Sequence, residues 1–148
     1  MAIWRMGWLT DRDQLAEAIQ SCKEMLAWNP DDNQGVRYTL GAILANTGRH
    51  ADELALCERF PDEGGALEFH RVFALHALER KGDALSLLAE AHKRSPKVLK
   101  FLLADDPRQP KPDRYSVVIG GDFEAWLYRQ ALHAAWARSC LPSLKRLG

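Results

Sequence analysis

The chain has 148 residues, of which 47% are hydrophobic and 27% are charged, which is ordinary for one globular domain. The 20 Lys and Arg residues balance the 20 Asp and Glu residues, so we expect no whole-chain attraction to nucleic acid or to an anionic membrane. The sequence has no run of about 18 apolar residues that could span a membrane, and residues 1–10 do not resemble a signal peptide. It therefore predicts a cytoplasmic protein.

Apolar residues recur at helical spacing along most of the chain. Side chains that can cap a helix precede two of these segments: Asp31, Asp32 and Asn33 precede the second, and Asp122 begins the last. Proline or glycine follows most of the segments and ends them. The pattern predicts helices over residues 11–28, 36–47, 50–60, 65–81, 83–94 and 122–139, and a short apolar piece over residues 97–103.

Residues 104–121, named the strap here, interrupt this pattern. Pro107, Pro110 and Pro112 lie among charged residues, and Gly120-Gly121 closes the segment. This composition predicts that the strap is an extended connection. Residues 117–119, Val-Val-Ile, are expected to form an apolar anchor on the helices. Because no other segment alternates apolar and polar residues as a strand does, we predict an all-α fold in a single domain, 1–148.

Helix-ending residues recur at a regular interval. Gly48 and Gly82 stand 34 residues apart, and the interval between Pro30 and Pro96 is close to twice that value. A period near 34 in a helix–turn–helix chain is typical of tetratricopeptide repeats. Residues 16–30, which end in Asn-Pro, resemble the second helix of such a repeat, and Leu40-Gly41 followed by Gly48 resembles the next first helix. The resemblance covers residues 11–96 and implies a short helical solenoid, with residues 122–148 forming a capping helix and tail.

Two further runs resemble a largely uncharacterised bacterial group of tetratricopeptide-like proteins. They are residues 29–38, Asn-Pro-Asp-Asp-Asn-Gln-Gly-Val-Arg-Tyr, and residues 115–136, which include Gly-Asp-Phe-Glu-Ala-Trp-Leu-Tyr. Some members of that group carry a zinc-binding SEC-C module, whose cysteines and histidine are absent here. The chain also departs from the repeat pattern at Glu53, where the second helix of a repeat usually has a small residue.

No motif for metal, cofactor or catalysis is present. Cys22, Cys57 and Cys140 are widely spaced and predict buried thiols, and the five histidines form no ligand pair at helical spacing. The sequence also contains no nucleophile elbow, phosphate loop or dinucleotide-binding fingerprint. We therefore expect no metal and no cofactor. The tryptophans predict contacts between helix layers: Trp4, Trp8, Trp28, Trp126 and Trp136.

The candidate binding residues lie on the predicted second and fourth helices, because the first helix of each repeat lines the concave face of such a solenoid. Arginine and tyrosine are common anchors in protein interfaces. These candidates predict a non-enzymatic module that binds a protein or peptide, preferably an acidic one. The seven candidate residues are Arg37, Tyr38, Asn46, His70, Arg71, His76 and Arg80. The alternative for Arg37 is structural, namely pairing with Asp32 or Glu68 to hold two repeats together.

Two other interpretations stay open. One is an enzyme of unrecognised type with a small pocket near His70 and His76. The other concerns residues 1–9, which include five large apolar side chains and predict a contact with a second copy or with a longer repeat array.

Overall fold

The computed structural model describes residues 12–61 and 64–140, together with residues 142 and 144. No strand occurs in these ranges, which confirms the all-α class. They form seven α-helices: α1 (Arg12–Trp28), α2 (Val36–Asn46), α3 (His50–Glu58), α4 (Gly65–Ala77), α5 (Lys81–Arg94), α6 (Pro96–Leu103) and α7 (Asp122–Ser139).

Each helix packs against the next one along the chain, and α2 and α6 both contact α4 as well. The short connections from α1 to α6 favour this arrangement, since a helix that follows a brief turn packs beside its predecessor. Two apolar clusters form the core. The first joins α1, α2 and α3 through Ile19, Leu26, Leu40, Ile43, Leu44 and Leu56. The second joins α2 to α4–α7 through Phe69, Phe73, Leu102, Leu132 and Trp136.

Helix α7 packs against α2, α4 and α6. The amide Nδ2 of Asn46 in α2 donates to the carbonyl oxygen of Ala131 in α7 at 3.1 Å. The ring of Trp136 lies 5.5 Å from the ring of Phe73 in α4, measured between centroids. Part of the face that α2 and α4 present together is therefore covered by the last helix of the same chain.

Several predicted helix ends are confirmed and others are wrong. Gly48 adopts the left-handed conformation after α2, with φ of 76°, as a helix-ending glycine does. The corresponding position after α4 is Glu79, with φ of 62°, and Gly82 lies in the first turn of α5. The backbone N–H of Arg80 donates to the carbonyl of Leu75 and closes this turn without a glycine.

The start of α7 also differs from the prediction. The side chain of Asp122 makes no capping hydrogen bond, and its carboxylate lies 3.6 Å from the ammonium of Lys97. The carboxylate of Glu124 instead accepts a hydrogen bond from the backbone N–H of Gly120 at 3.3 Å. A side chain one turn into the helix therefore bonds to the backbone just ahead of it.

The strap crosses from α6 to α7, and polar contacts hold it. The guanidinium of Arg129 donates to the carbonyl oxygens of Ala104 and Asp105 at 3.0 and 3.2 Å. Asp113 accepts a hydrogen bond from the N–H of Val118 at 2.9 Å. The predicted apolar anchor at residues 117–119 is about half exposed, so its burial is not what fastens the strap.

The tryptophans divide into buried and exposed ones. Trp136 is 1% exposed and packs on Phe73 of α4, which confirms the predicted contact between helices. Trp126 stacks on Phe123 of its own helix, and Trp28 is 90% exposed at the end of α1. The interaction predicted for residues 1–9, including Trp4 and Trp8, lies outside the described residues. In the part of the chain that the structure covers, no helix is long and apolar enough to cross a membrane.

Candidate functional site

A cleft of about 870 Å³ opens between α1, α2, α4, the end of the strap and α7. Its volume falls within the range of about 300–1,000 Å³ that is typical of ligand pockets. Most of its walls are apolar. The side chains that line these walls are Met25, Val36, Ala42, Ala66, Val117, Ile119, Leu127, Ala131 and Leu132.

A rigid loop between α1 and α2 forms one edge of the cleft. The carboxylate of Asp32 accepts hydrogen bonds from the backbone N–H groups of Val36 and Arg37 at 2.8 and 2.9 Å, so this aspartate caps α2 as predicted. The guanidinium of Arg37 pairs with the same carboxylate at 2.6 Å. It also lies 4.7 Å from the ring centre of Tyr38 and 5.1 Å from that of Phe60. The structural alternative for Arg37, pairing with Asp32, is therefore confirmed.

A buried polar cluster lies at the floor of the cleft. The ring nitrogen Nδ1 of His70 is 2.9 Å from Oε2 of Glu53, and Nδ1 of His50 is 3.2 Å from Oε1. Each oxygen of the carboxyl group is therefore within hydrogen-bond distance of a different imidazole, and the tautomer of each ring sets the direction of the bond. The His70 ring meets the Tyr128 ring edge-on at 5.0 Å, and it also packs against Gly41 of α2. The cluster therefore connects α3 to α4, α2 and α7.

Glu53 explains the departure from the repeat pattern. The side chain is fully buried, at 0% exposure, where a small residue was expected. The cost of burying this polar group is offset by its hydrogen bonds to the two imidazoles. The buried acid of α3 is thus accommodated by two histidines, one on its own helix and one on α4.

Glu124 of α7 closes another side of the cleft. Its Oε1 accepts a hydrogen bond from the backbone N–H of Ala66 at 2.9 Å, in the first turn of α4. A carboxylate is stabilised there by the positive end of the helix dipole. A Cβ added at Gly65 would lie 2.5 Å from this oxygen and 2.9 Å from Cγ2 of Ile119. The glycine therefore allows α7 and the strap to approach the start of α4.

Three of the seven predicted binding residues, Arg37, Tyr38 and His70, line the cleft together. Asn46 does not line it. Its amide bonds to the carbonyls of Ala42 and Ala131, and so it holds α2 to α7.

The other three predicted residues also lie outside the cleft lining. Arg71 borders a separate small hollow beside Phe60 and Pro61. Arg80 is exposed and pairs with Asp83 at 3.0 Å. Burial, followed by the nearby Lys81 ammonium, lowers the pKa of His76 below its ordinary value, so its imidazole is neutral at neutral pH.

The three thiols are free and buried, as predicted. Burial raises the pKa of Cys140 to about 11, and burial together with the Asp32 carboxylate raises the pKa of Cys22. Burial likewise raises the pKa of Cys57. These thiols are therefore poor nucleophiles at neutral pH. Within the described ranges, no three His, Cys, Asp or Glu side chains come together as a potential metal site.

Sequence reasoning missed Glu124, Val117 and Ile119 as cleft residues. Nothing local marks them, since their role depends on where α7 and the strap pack. Glu53 could have been identified from the sequence. It stands where a small residue is usual, and a charged residue buried at such a position requires a polar partner.

No protein-family model, curated protein or solved structure matches this chain.

Proposed function

We propose that this chain is a non-enzymatic interaction module that binds a protein partner by taking an apolar peptide segment into the cleft. The observation that carries the proposal is a pocket-sized opening whose exposed lining is mostly apolar. Transfer of apolar side chains from water into this space supplies the driving force, at about 25 cal/mol for each Å² buried.

Apolar side chains at the rim favour a peptide over a fully enclosed small molecule. Met25 on α1 is 45% exposed, and Val117 and Ile119 on the strap are 45% and 49% exposed. These residues line the cleft and also face solvent. Exposed apolar surface around a pocket is typical of protein interaction sites.

The arrangement of helices supports a tetratricopeptide-like solenoid as part of this proposal. The contacts of α2 with α4 and of α4 with α6 match the stacking of first helices in successive repeats. In this proposal α7 occupies part of the concave face, and the cleft is the part left open. The free thiols also fit the predicted cytoplasmic location, where cysteines stay reduced.

The charges of the cleft favour an apolar segment rather than the acidic peptide expected from the sequence. Arg37 is already paired with Asp32, and Arg71 and Arg80 are not among the lining residues. The reason for preferring an acidic ligand therefore no longer applies, and we assign the main recognition to the apolar walls.

A charge placed in the strap wall tests this proposal. Peptides selected from a random display library for binding to the intact protein should be rich in large apolar residues. We expect Val117→Asp to weaken their binding at least about tenfold, or about 1.4 kcal/mol, because the carboxylate would lose hydration against the bound segment. Fluorescence anisotropy of labelled peptides measures the affinity.

Val118→Asp is the matched control. Val118 is 54% exposed and adjacent in sequence, but it does not line the cleft, so its substitution should leave affinity unchanged. Equal affinity of the two variants, at equal melting temperature, would count against the cleft as the binding site.

An enzyme is the second candidate, and one observation favours it. His70 lines the cleft and its Nδ1 bonds to Glu53, an arrangement that also orients catalytic histidines. Among the described residues, however, no Ser, Thr or Cys side chain is hydrogen-bonded to His70 as a nucleophile. Turnover of any ester, amide or phosphoester substrate that is lost on His70→Gln, with the fold retained, would favour this candidate.

A further inference from the structure

Residues 107–113 of the strap form neither helix, strand nor hydrogen-bonded turn. Each proline there fixes its own φ near about −65°. The residues before Pro110 and Pro112 are restricted to extended conformations as well. These restrictions favour the polyproline II conformation, which needs no internal hydrogen bonds, over most of residues 107–113.

The burial pattern of the segment has the same period. Pro107, Pro110 and Asp113 are half-buried, and all four residues between them are exposed. A polyproline II helix has about three residues per turn, so residues three apart lie along one edge. One edge of the segment rests on the protein, and the other two edges face solvent.

The segment is held at both ends. Arg129 of α7 binds the carbonyls of Ala104 and Asp105 before it. At its other end, Asp113 bonds to the backbone N–H of Val118. Little conformational entropy is therefore lost when a partner binds this segment, because the segment is already held in place.

The two solvent-facing edges differ in chemistry. Arg108 and Lys111 fall on one edge, about 9 Å apart at a rise of about 3.1 Å per residue. Neither Arg108 nor Lys111 has an ion pair with a residue that the structure describes. The other edge presents Pro112, followed by Tyr115, which is 88% exposed.

We propose that residues 107–115 are a preformed docking ridge for a second protein. The partner offers a groove lined by aromatic side chains, which accepts the polyproline II backbone and Pro112. Carboxylates at the rim of that groove face Arg108 and Lys111. This surface is separate from the cleft, which the strap lines only through Ser116, Val117 and Ile119.

A protein partner fits these features better than a nucleic acid does. The cations are few, and Asp105, Asp106 and Asp113 flank them, so the local charge sums to nearly zero. Phosphate binding depends on a surplus of cations. Recognition of a polyproline II segment depends on shape together with one or two charges.

The test uses the intact chain and an array of purified SH3, WW and EVH1 domains, which all read polyproline II segments. We expect at least one domain to bind. Arg108→Glu combined with Lys111→Glu should weaken that binding at least about tenfold, because like charges would face each other. Pro112→Ala should weaken it less, since it removes one ring and one backbone restriction.

Lys23→Glu combined with Lys93→Glu is the control, because it makes the same charge change on exposed lysines of α1 and α5. This variant should bind as the unmodified chain does. The proposal is overturned if no domain of the array binds, or if reversing Arg108 and Lys111 has no effect at an unchanged melting temperature. Tighter binding of a single-stranded oligonucleotide, lost in the same double variant, also overturns it.

Discussion

Replacing Glu53 with alanine should lower the free energy of unfolding by several kcal/mol, because each polar group left without its hydrogen-bond partner costs about 1–3 kcal/mol. Each oxygen of its buried carboxylate lies within hydrogen-bond distance of a histidine, Oε1 with His50 and Oε2 with His70. Alanine would leave both imidazoles without their hydrogen-bond partner and open a void between α3 and α4. Thermal and denaturant unfolding followed by circular dichroism measures the change.

Glu58→Ala is the control for this substitution, since Glu58 is exposed on the same helix. Its effect should stay within about 0.5 kcal/mol. Glu53→Gln should be intermediate, because the amide keeps only one of the two carboxyl oxygens as a hydrogen-bond partner. If Glu53→Ala and Glu58→Ala unfold at the same temperature, the Glu53 cluster does not stabilise the fold.

Trp136→Ala should also cost about 3–5 kcal/mol, as large-to-small substitutions of buried aromatic residues do. The side chain is 1% exposed and packs on Phe73 of α4. Its Nε1–H donates to the hydroxyl oxygen of Tyr128 at 2.9 Å. Alanine would remove this packing and leave the buried hydroxyl without its donor, so α7 should separate from α2 and α4 at a lower denaturant concentration.

The chain offers a matched control in Trp28→Ala. Trp28 is 90% exposed, so its loss should change stability by no more than about 0.5 kcal/mol. Trp136→Phe keeps most of the packing and loses the hydrogen bond. Its stability should therefore lie between those of Trp136→Ala and Trp28→Ala. A Trp136→Ala protein as stable as Trp28→Ala would mean that α7 does not belong to the core.

The sequence predicted the helices because their signal is local. Apolar periodicity marked six of them, whereas residues 97–103 were recognised only as a short apolar piece. Of three candidate capping residues before α2, Asp32 is the one that bonds to the first N–H groups of the helix. Helix ends were predicted less accurately where no capping or helix-breaking side chain determines them. Glu79 adopts the left-handed conformation after α4, three residues before the glycine that was expected to end that helix. Backbone hydrogen bonds to α4 fix that turn, and they leave no pattern in the sequence.

The cleft could not be predicted because its walls meet only through long-range packing. Glu124 contacts Ala66, and Ile119 approaches Gly65, although each pair is distant along the chain. Tyr38 and His70 were expected on one face and do share the cleft. Arg71 was predicted because arginine is common in interfaces, but it borders a small hollow that is separate from the cleft.

Amide chemical-shift mapping of the intact protein with the tightest library-selected peptide tests directly whether the peptide occupies the cleft. We expect shifts concentrated on α2, the start of α4, the end of the strap and α7, with Thr39 and Leu127 among the most affected. The amides around Leu85 and Glu90 on α5 should stay unchanged, since α5 does not line the cleft. Shifts that cluster on α5 at saturation, with none at Thr39 and Leu127, would contradict binding in the cleft.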